Sequence, residues 1–240
     1  MRAMTANDSE DDSDASTSIL DSTCATFGES CVLRGRGFFV AWHGVLTFAY
    51  AGWPRALDGL KDALESQQLA QRENPGSKWP KTSIGCLTSD RRLTQEELEA
   101  LRGLCEQFDA RARDVEVDVN RVKAVVFANR CCEERLTVKA IKLSHTDDAG
   151  SSAITQTRLQ EVEDVLAETS ADDYIDRVNA PGHRSDHYST GSGVTLVIDV
   201  GSKISELVRE FRESVDAILP GAYSWFASKS LHCTVRGLVN

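Results

Sequence analysis

The chain has 240 residues, 41% of them hydrophobic and 27% charged, which is enough apolar material for one large or two small domains with a real core. Its formal net charge is −10, and half of that falls in the first 22 residues, where six acidic side chains face only Arg2. So acidic a body argues against broad duplex nucleic-acid binding, which needs an extended Lys/Arg surface, and leaves room for a small electropositive pocket.

Residues 1–32 are rich in Ser, Asp, Thr and Ala and poor in large apolar side chains, so they are expected to form a disordered acidic tail. The folded domain is expected over 33–240. Gly44 to Ala51 reads as a strand, broken at Gly52-Trp53-Pro54; Pro54 opens a helix running to about Leu69, with Leu57, Leu60 and Leu64 on one face. A turn at Asn74–Ser77 leads into a strand over Lys81–Leu87. Thr94-Gln95-Glu96-Glu97 is a capping box that starts a helix to about Ala112. The β-rich runs Val117–Asn129 and Leu136–Leu143 read as a hairpin, and 155–168 as a helix. Residues 180–188, with His183, His187 and Tyr188, read as a loop. Gly193–Val200 is a strand, Ser202 is placed to cap a helix to Leu219, and Pro220-Gly221 turns the chain into a last strand ending near Leu238.

In that last strand side chains alternate with period two. Leu231, Cys233, Val235 and Gly237 form an apolar side; His232, Thr234 and Arg236 form a polar one. Lys81, Ser83 and Leu87 occupy equivalent places in the upstream strand. From Gly44 to Lys81 is 37 positions and from Gly193 to His232 is 39, each interval holding a strand, an amphipathic helix and a Trp-containing loop. The expected fold is therefore α+β, a two-lobed pseudo-symmetric domain of two strand–helix–strand repeats, with sheets flanking a central cleft and helices outside.

His232-Cys233-Thr234-Val235, in the second of these repeats, resembles the His-x-Thr/Ser-x signature of the two-histidine phosphoesterases, a superfamily that includes bacterial 2′-5′ RNA ligases and the cyclic phosphodiesterases of tRNA splicing. The resemblance covers about residues 40–240; Gly76–Thr82 together with Ser230–Leu238 is similar to plant and algal members. It implies that one motif from each lobe lines a cleft, that the two histidines act as general base and acid on a 2′,3′-cyclic phosphate or related ester, and that the two hydroxyls hold phosphate oxygens. The partner implied is a nucleotide or RNA end, with no cofactor and no metal, since protonated side chains neutralise phosphate charge. The first motif departs from the family: Lys81 stands where His belongs. A lysine binds phosphate as a point charge and serves as a base only if its pKa falls by several units.

Three readings follow for Lys81: a perturbed catalytic group, a phosphate anchor beside a His232 that works alone or with a loop histidine, or a mark of binding without turnover. Arg236 is a phosphate-contact candidate, and His183 and Tyr188 are candidates for loop contacts. His183 and His187, at His-x3-His, lack the donors of a metal site. The sequence thus points to a phosphoesterase, with a catalytically impaired nucleotide- or RNA-binding domain and a non-catalytic interaction protein with an acidic regulatory tail as alternatives. Seven cysteines without a CxxC pair fit a reducing compartment and no zinc. With neither a secretory leader nor a membrane-length apolar run, the expectation is a monomer in the cytoplasm, with the nucleus as alternative.

Overall fold

In the computed structural model, which describes residues 8–73, 78–145 and 149–239, nine strands form two antiparallel sheets with helices packed on them. The strands are β1 (Cys31–Val40), β2 (Leu46–Tyr50), β3 (Lys81–Leu87), β4 (Glu116–Val119), β5 (Arg121–Phe127), β6 (Arg135–Lys142), β7 (Gly193–Asp199), β8 (Tyr223–Trp225) and β9 (His232–Leu238). The helices are α1 (Asp8–Phe27), α2 (Arg55–Ser66), α3 (Gln95–Arg113), α4 (Gln156–Glu168), α5 (Tyr174–Asn179), α6 (Ser185–Ser189) and α7 (Gly201–Ile218). One sheet has the order β4-β1-β2-β3-β8, the other β6-β5-β7-β9.

The apolar stripes read from the sequence become the core. Leu57, Leu60 and Leu64 on α2 and Ile204, Val208, Phe211 and Val215 on α7 are fully buried. Phe211 of α7 stacks on Phe38 of β1 at 4.1 Å between centroids, and Phe108 of α3 meets both edge-on, so one aromatic cluster joins helices from both halves of the chain. Thr94 caps α3 through the Glu97 backbone N–H, and the Glu97 carboxylate accepts from the Thr94 N–H, the expected capping box.

Some expectations fail. The tail does not extend to residue 32: α1 reaches Phe27, Leu20, Thr23 and Cys24 are buried, and β1 begins at Cys31. A Ser/Asp-rich composition masked this short apolar stripe; residues 1–7 lie outside the described residues. Ser202 does not cap α7, whose N-cap is Val200 with no side-chain hydrogen bond. The segment 180–188 is not all loop, since α6 starts at Ser185. All seven cysteines are free and buried. Among the described residues no helix is long and apolar enough to cross a membrane.

Candidate functional site

β3 and β9 belong to different sheets and approach each other in the middle of the molecule. Both carry a β-bulge at the same point. On β3, Ser83 faces Thr47 and Gly85 faces Leu46, which leaves Ile84 as the extra residue. On β9, Thr234 faces Val197 and Arg236 faces Leu196, which leaves Val235. Each extra residue directly follows the hydroxyl residue of its motif, and both are buried. Ahead of the bulge, alternation holds. Thr82 turns inward, 3.1 Å from the Tyr50 hydroxyl, and the buried Cys233 thiol accepts a hydrogen bond from the Lys81 backbone.

Lys81, Ser83, His232 and Thr234 line one cavity of about 340 Å³, together with Arg236, Tyr188 and Phe226. Its lining also includes Arg72, Arg130 and, among the described residues, a single carboxylate, Glu73. Four cations against one anion reverse the sign of a chain whose formal net charge is −10. Such a concave basic lining favours an anion.

His232 is half-buried, and its Nδ1–H donates to the Ser230 carbonyl at 2.7 Å. That bond selects the Nδ1-protonated tautomer and leaves the Nε2 lone pair available. Burial holds the imidazole below its ordinary pKa, with Arg135 adding to the effect and the Ser230 bond and Asp199 opposing it. His232 is thus a neutral base at pH 7. Lys81 lies over the Trp79 ring at 4.2 Å. Burial pushes its ammonium down to about 8, assisted by Lys61 and opposed by Glu73. The Cys233 thiol beside it is itself pushed up to about 12 by burial and stays protonated at neutral pH.

Arg236 does not share the solvated polar face expected for it. The bulge turns it inward, where it is 4% exposed and donates to Glu73 at 3.0 Å, to Glu65 at 3.3 Å and to the Gln71 carbonyl at 3.2 Å. Glu73 also pairs with Lys61 at 3.1 Å. Arg236 therefore clasps the 71–73 segment to β9. Arg130 was not singled out by the sequence, being a lone arginine in a polar turn. It lines the cavity, and its Nη1 donates only to the carbonyls of His187 and Thr190, at 3.4 and 3.2 Å, with no carboxylate partner among the described residues.

Tyr188 reaches the cavity and hydrogen-bonds Ser83, and burial pushes its hydroxyl up to about 12. His183 does not line it: its ring lies 4.8 Å from that of His43, 4.4 Å from that of His187 and 6.0 Å from that of Tyr188. Desolvation first, then the neighbouring His187, His43, Lys81 and Arg130, push His183 down to about 4. Among the described residues no group of three or more His, Cys, Asp or Glu side chains is arranged to hold a metal. The two tryptophans near the motif strands diverge: Trp79 packs on Phe39 beside Lys81, whereas Trp225 covers Gly85 and donates to Asp216.

No protein-family model, curated protein or solved structure matches this chain.

Proposed function

We propose that the cavity binds a phosphate ester at a nucleotide or RNA end, and that His232 and Lys81 carry acid–base chemistry on a 2′,3′-cyclic phosphate held by Thr234, Ser83 and Arg130. The observation that carries this reading is the convergence of four motif side chains, from two strands far apart in sequence, on one basic cavity in an acidic protein. The matching bulges support the pseudo-symmetric arrangement of two strand–helix–strand repeats, β2-α2-β3 and β7-α7-β9, that we propose for the two lobes.

In hydrolysis, His232 Nε2 takes the proton of a water whose oxygen attacks phosphorus, one ring P–O bond breaks, and the departing sugar oxygen takes a proton from the Lys81 ammonium. Solvent then returns the proton from imidazolium to amine. The cavity's cations stabilise the charge that gathers on the phosphoryl oxygens. The same groups suit 2′-5′ RNA ligation, in which a ribose 5′-hydroxyl replaces water as the nucleophile, the P–O3′ bond breaks and the 3′-oxygen takes the proton. Free thiols and an acidic body fit a protein of the cytoplasm or nucleus.

Turnover of 2′,3′-cyclic nucleotides by the wild type and by His232→Ala is the test. The variant should lose about 10²–10⁴ in rate; equal rates, or no turnover of any cyclic or 2′-5′ substrate, would end the catalytic reading. Lys81 in place of the family's histidine favours one second reading, a phosphate-binding module without chemistry. That reading expects nucleoside monophosphate binding that drops in Lys81→Ala with no turnover by the wild type.

A further inference from the structure

The imidazole of His232 rests on a polar network drawn from three other strands and a turn. The Ser230 carbonyl that accepts its Nδ1–H also accepts a bond from Arg135 Nη2 at 3.4 Å. Ser230 is 2% exposed, so this carbonyl has little access to water. Arg135 stands at the start of β6, and three anchors fix its guanidinium. Nη1 donates to Asp199 at 2.9 Å, Nε donates to the Cys132 carbonyl at 3.1 Å, and Nη2 reaches Ser230. Asp199, at the end of β7, is the cross-strand neighbour of His232, and Lys123 on β5 donates to its other oxygen.

We propose that Arg135 is a positioning residue for His232: held by Asp199, it fixes the shared Ser230 carbonyl and so keeps the imidazole with Nδ1 protonated and Nε2 turned to the cavity.

The carbonyl has two lone pairs and serves both donors at once. With Arg135 in place it can neither swing away nor be satisfied by water alone, so the ring keeps one orientation. The guanidinium adds a fixed positive charge on the Ser230 side of the ring, toward Nδ1. That charge opposes protonation of the imidazole, while Asp199, partly neutralised by Lys123 and Arg135, favours protonation less than a lone carboxylate would. Around the cavity the charged and titratable groups are Lys81 on β3, Arg130 and Cys131 in the β5–β6 turn, Tyr188 on α6, Arg236 on β9, and Arg72 and Glu73 in the segment after α2. They are common to every variant below, so differences among variants report the network behind the ring.

This inference deepens the proposed function and rests on His232 being its base, but its readout is the imidazole itself. ¹H–¹⁵N correlation spectra of the full chain, titrated with pH, give the tautomer and the midpoint of His232. In the wild type we expect a single Nδ1-protonated form. In Arg135→Gln the midpoint should move up and the Nε2-protonated form should appear. Arg135→Lys keeps the charge and the pair with Asp199 but loses the fork to Ser230. It should leave the midpoint nearly in place while the second tautomer still appears, and it serves if Arg135→Gln fails to fold. Unchanged tautomers in Arg135→Lys, or an unchanged midpoint in a folded Arg135→Gln, would overturn the role. Lack of turnover by the wild type would remove the catalytic reading and leave the tautomer result standing.

Discussion

At pH 7 the cavity holds one neutral imidazole and one ammonium that is close to losing its proton. Burial pushes both groups down, and on the proposed reading their order assigns the roles: His232, the lower, takes a proton and Lys81 gives one. The sign of the pH dependence follows. His232 works only unprotonated, which requires a pH above a midpoint lying below the ordinary histidine value. Lys81 works only protonated, which requires a pH below about 8. The rate should therefore be flat through neutrality and fall about tenfold per unit above that limit. Lys81→Arg, which stays protonated throughout, should lose rate and also lose the alkaline limb; a retained limb in that variant would assign it to another group. A rate profile in overlapping buffers decides.

The motif strands explain why two residues of the same apparent face play different parts. A bulge after Ser83 on β3 and after Thr234 on β9 resets the alternation, so the residue two places beyond the hydroxyl turns inward. On β3 that residue is Gly85, on which Trp225 packs; a Cβ there would meet the indole at 2.5 Å. On β9 it is Arg236, which binds the 69–73 segment to the strand: Gln71 N–H donates to the Gly237 carbonyl, and Val239 N–H to that of Leu69. Arg236 thus shapes the wall, and on the proposed reading it is Arg130 that meets the phosphate. Arg236 is buried, but Glu73 keeps Lys61 and Glu65 is exposed, so losing its charged hydrogen bonds should cost about 1.5–3 kcal/mol. Arg236→Met should accordingly lower the melting temperature by several degrees, and Arg130→Gln should hold the melting temperature and weaken nucleoside monophosphate binding about tenfold or more. The reverse pattern, in parallel thermal melts and binding isotherms, would return the phosphate contact to Arg236.

Over the whole molecule, what was legible depended on how local the cause was. Lys81–Leu87 and His232–Leu238 are strands whose alternation lies in the residues themselves, and Thr94 to Glu97 is a cap satisfied within four residues. The pairing of Lys81 and Ser83 with His232 and Thr234 was legible because two unit lengths nearly agree. The bulges were not, because a period-two pattern carries no mark of a residue skipped by its neighbour strand. Nor were Arg130 and Arg135, which matter only through carbonyls and a carboxylate distant in sequence: His187 and Thr190 for the first, Ser230 and Asp199 for the second. In α1, Leu20 and Cys24 lie one helical turn apart among serines and aspartates, and composition outweighed spacing.

The burial of Lys81 beside Glu73 has a further consequence, in the heat of binding. The cavity lining includes a counter-anion, Glu73, and its lysine is only partly protonated around pH 8. A phosphate dianion arriving next to that amine stabilises its charged form, so ligand and proton enter together. At pH 8, where the phosphate is already dianionic, roughly half a proton per site should be drawn from the buffer; at pH 7 the small uptake by the amine and the small release by the phosphate should nearly cancel. Calorimetry with a nucleoside monophosphate should give enthalpies that differ between buffers of high and low ionisation heat at pH 8 and nearly agree at pH 7. Lys81→Arg should erase the difference; buffer-independent heat from the wild type at pH 8 would place the anion away from Lys81.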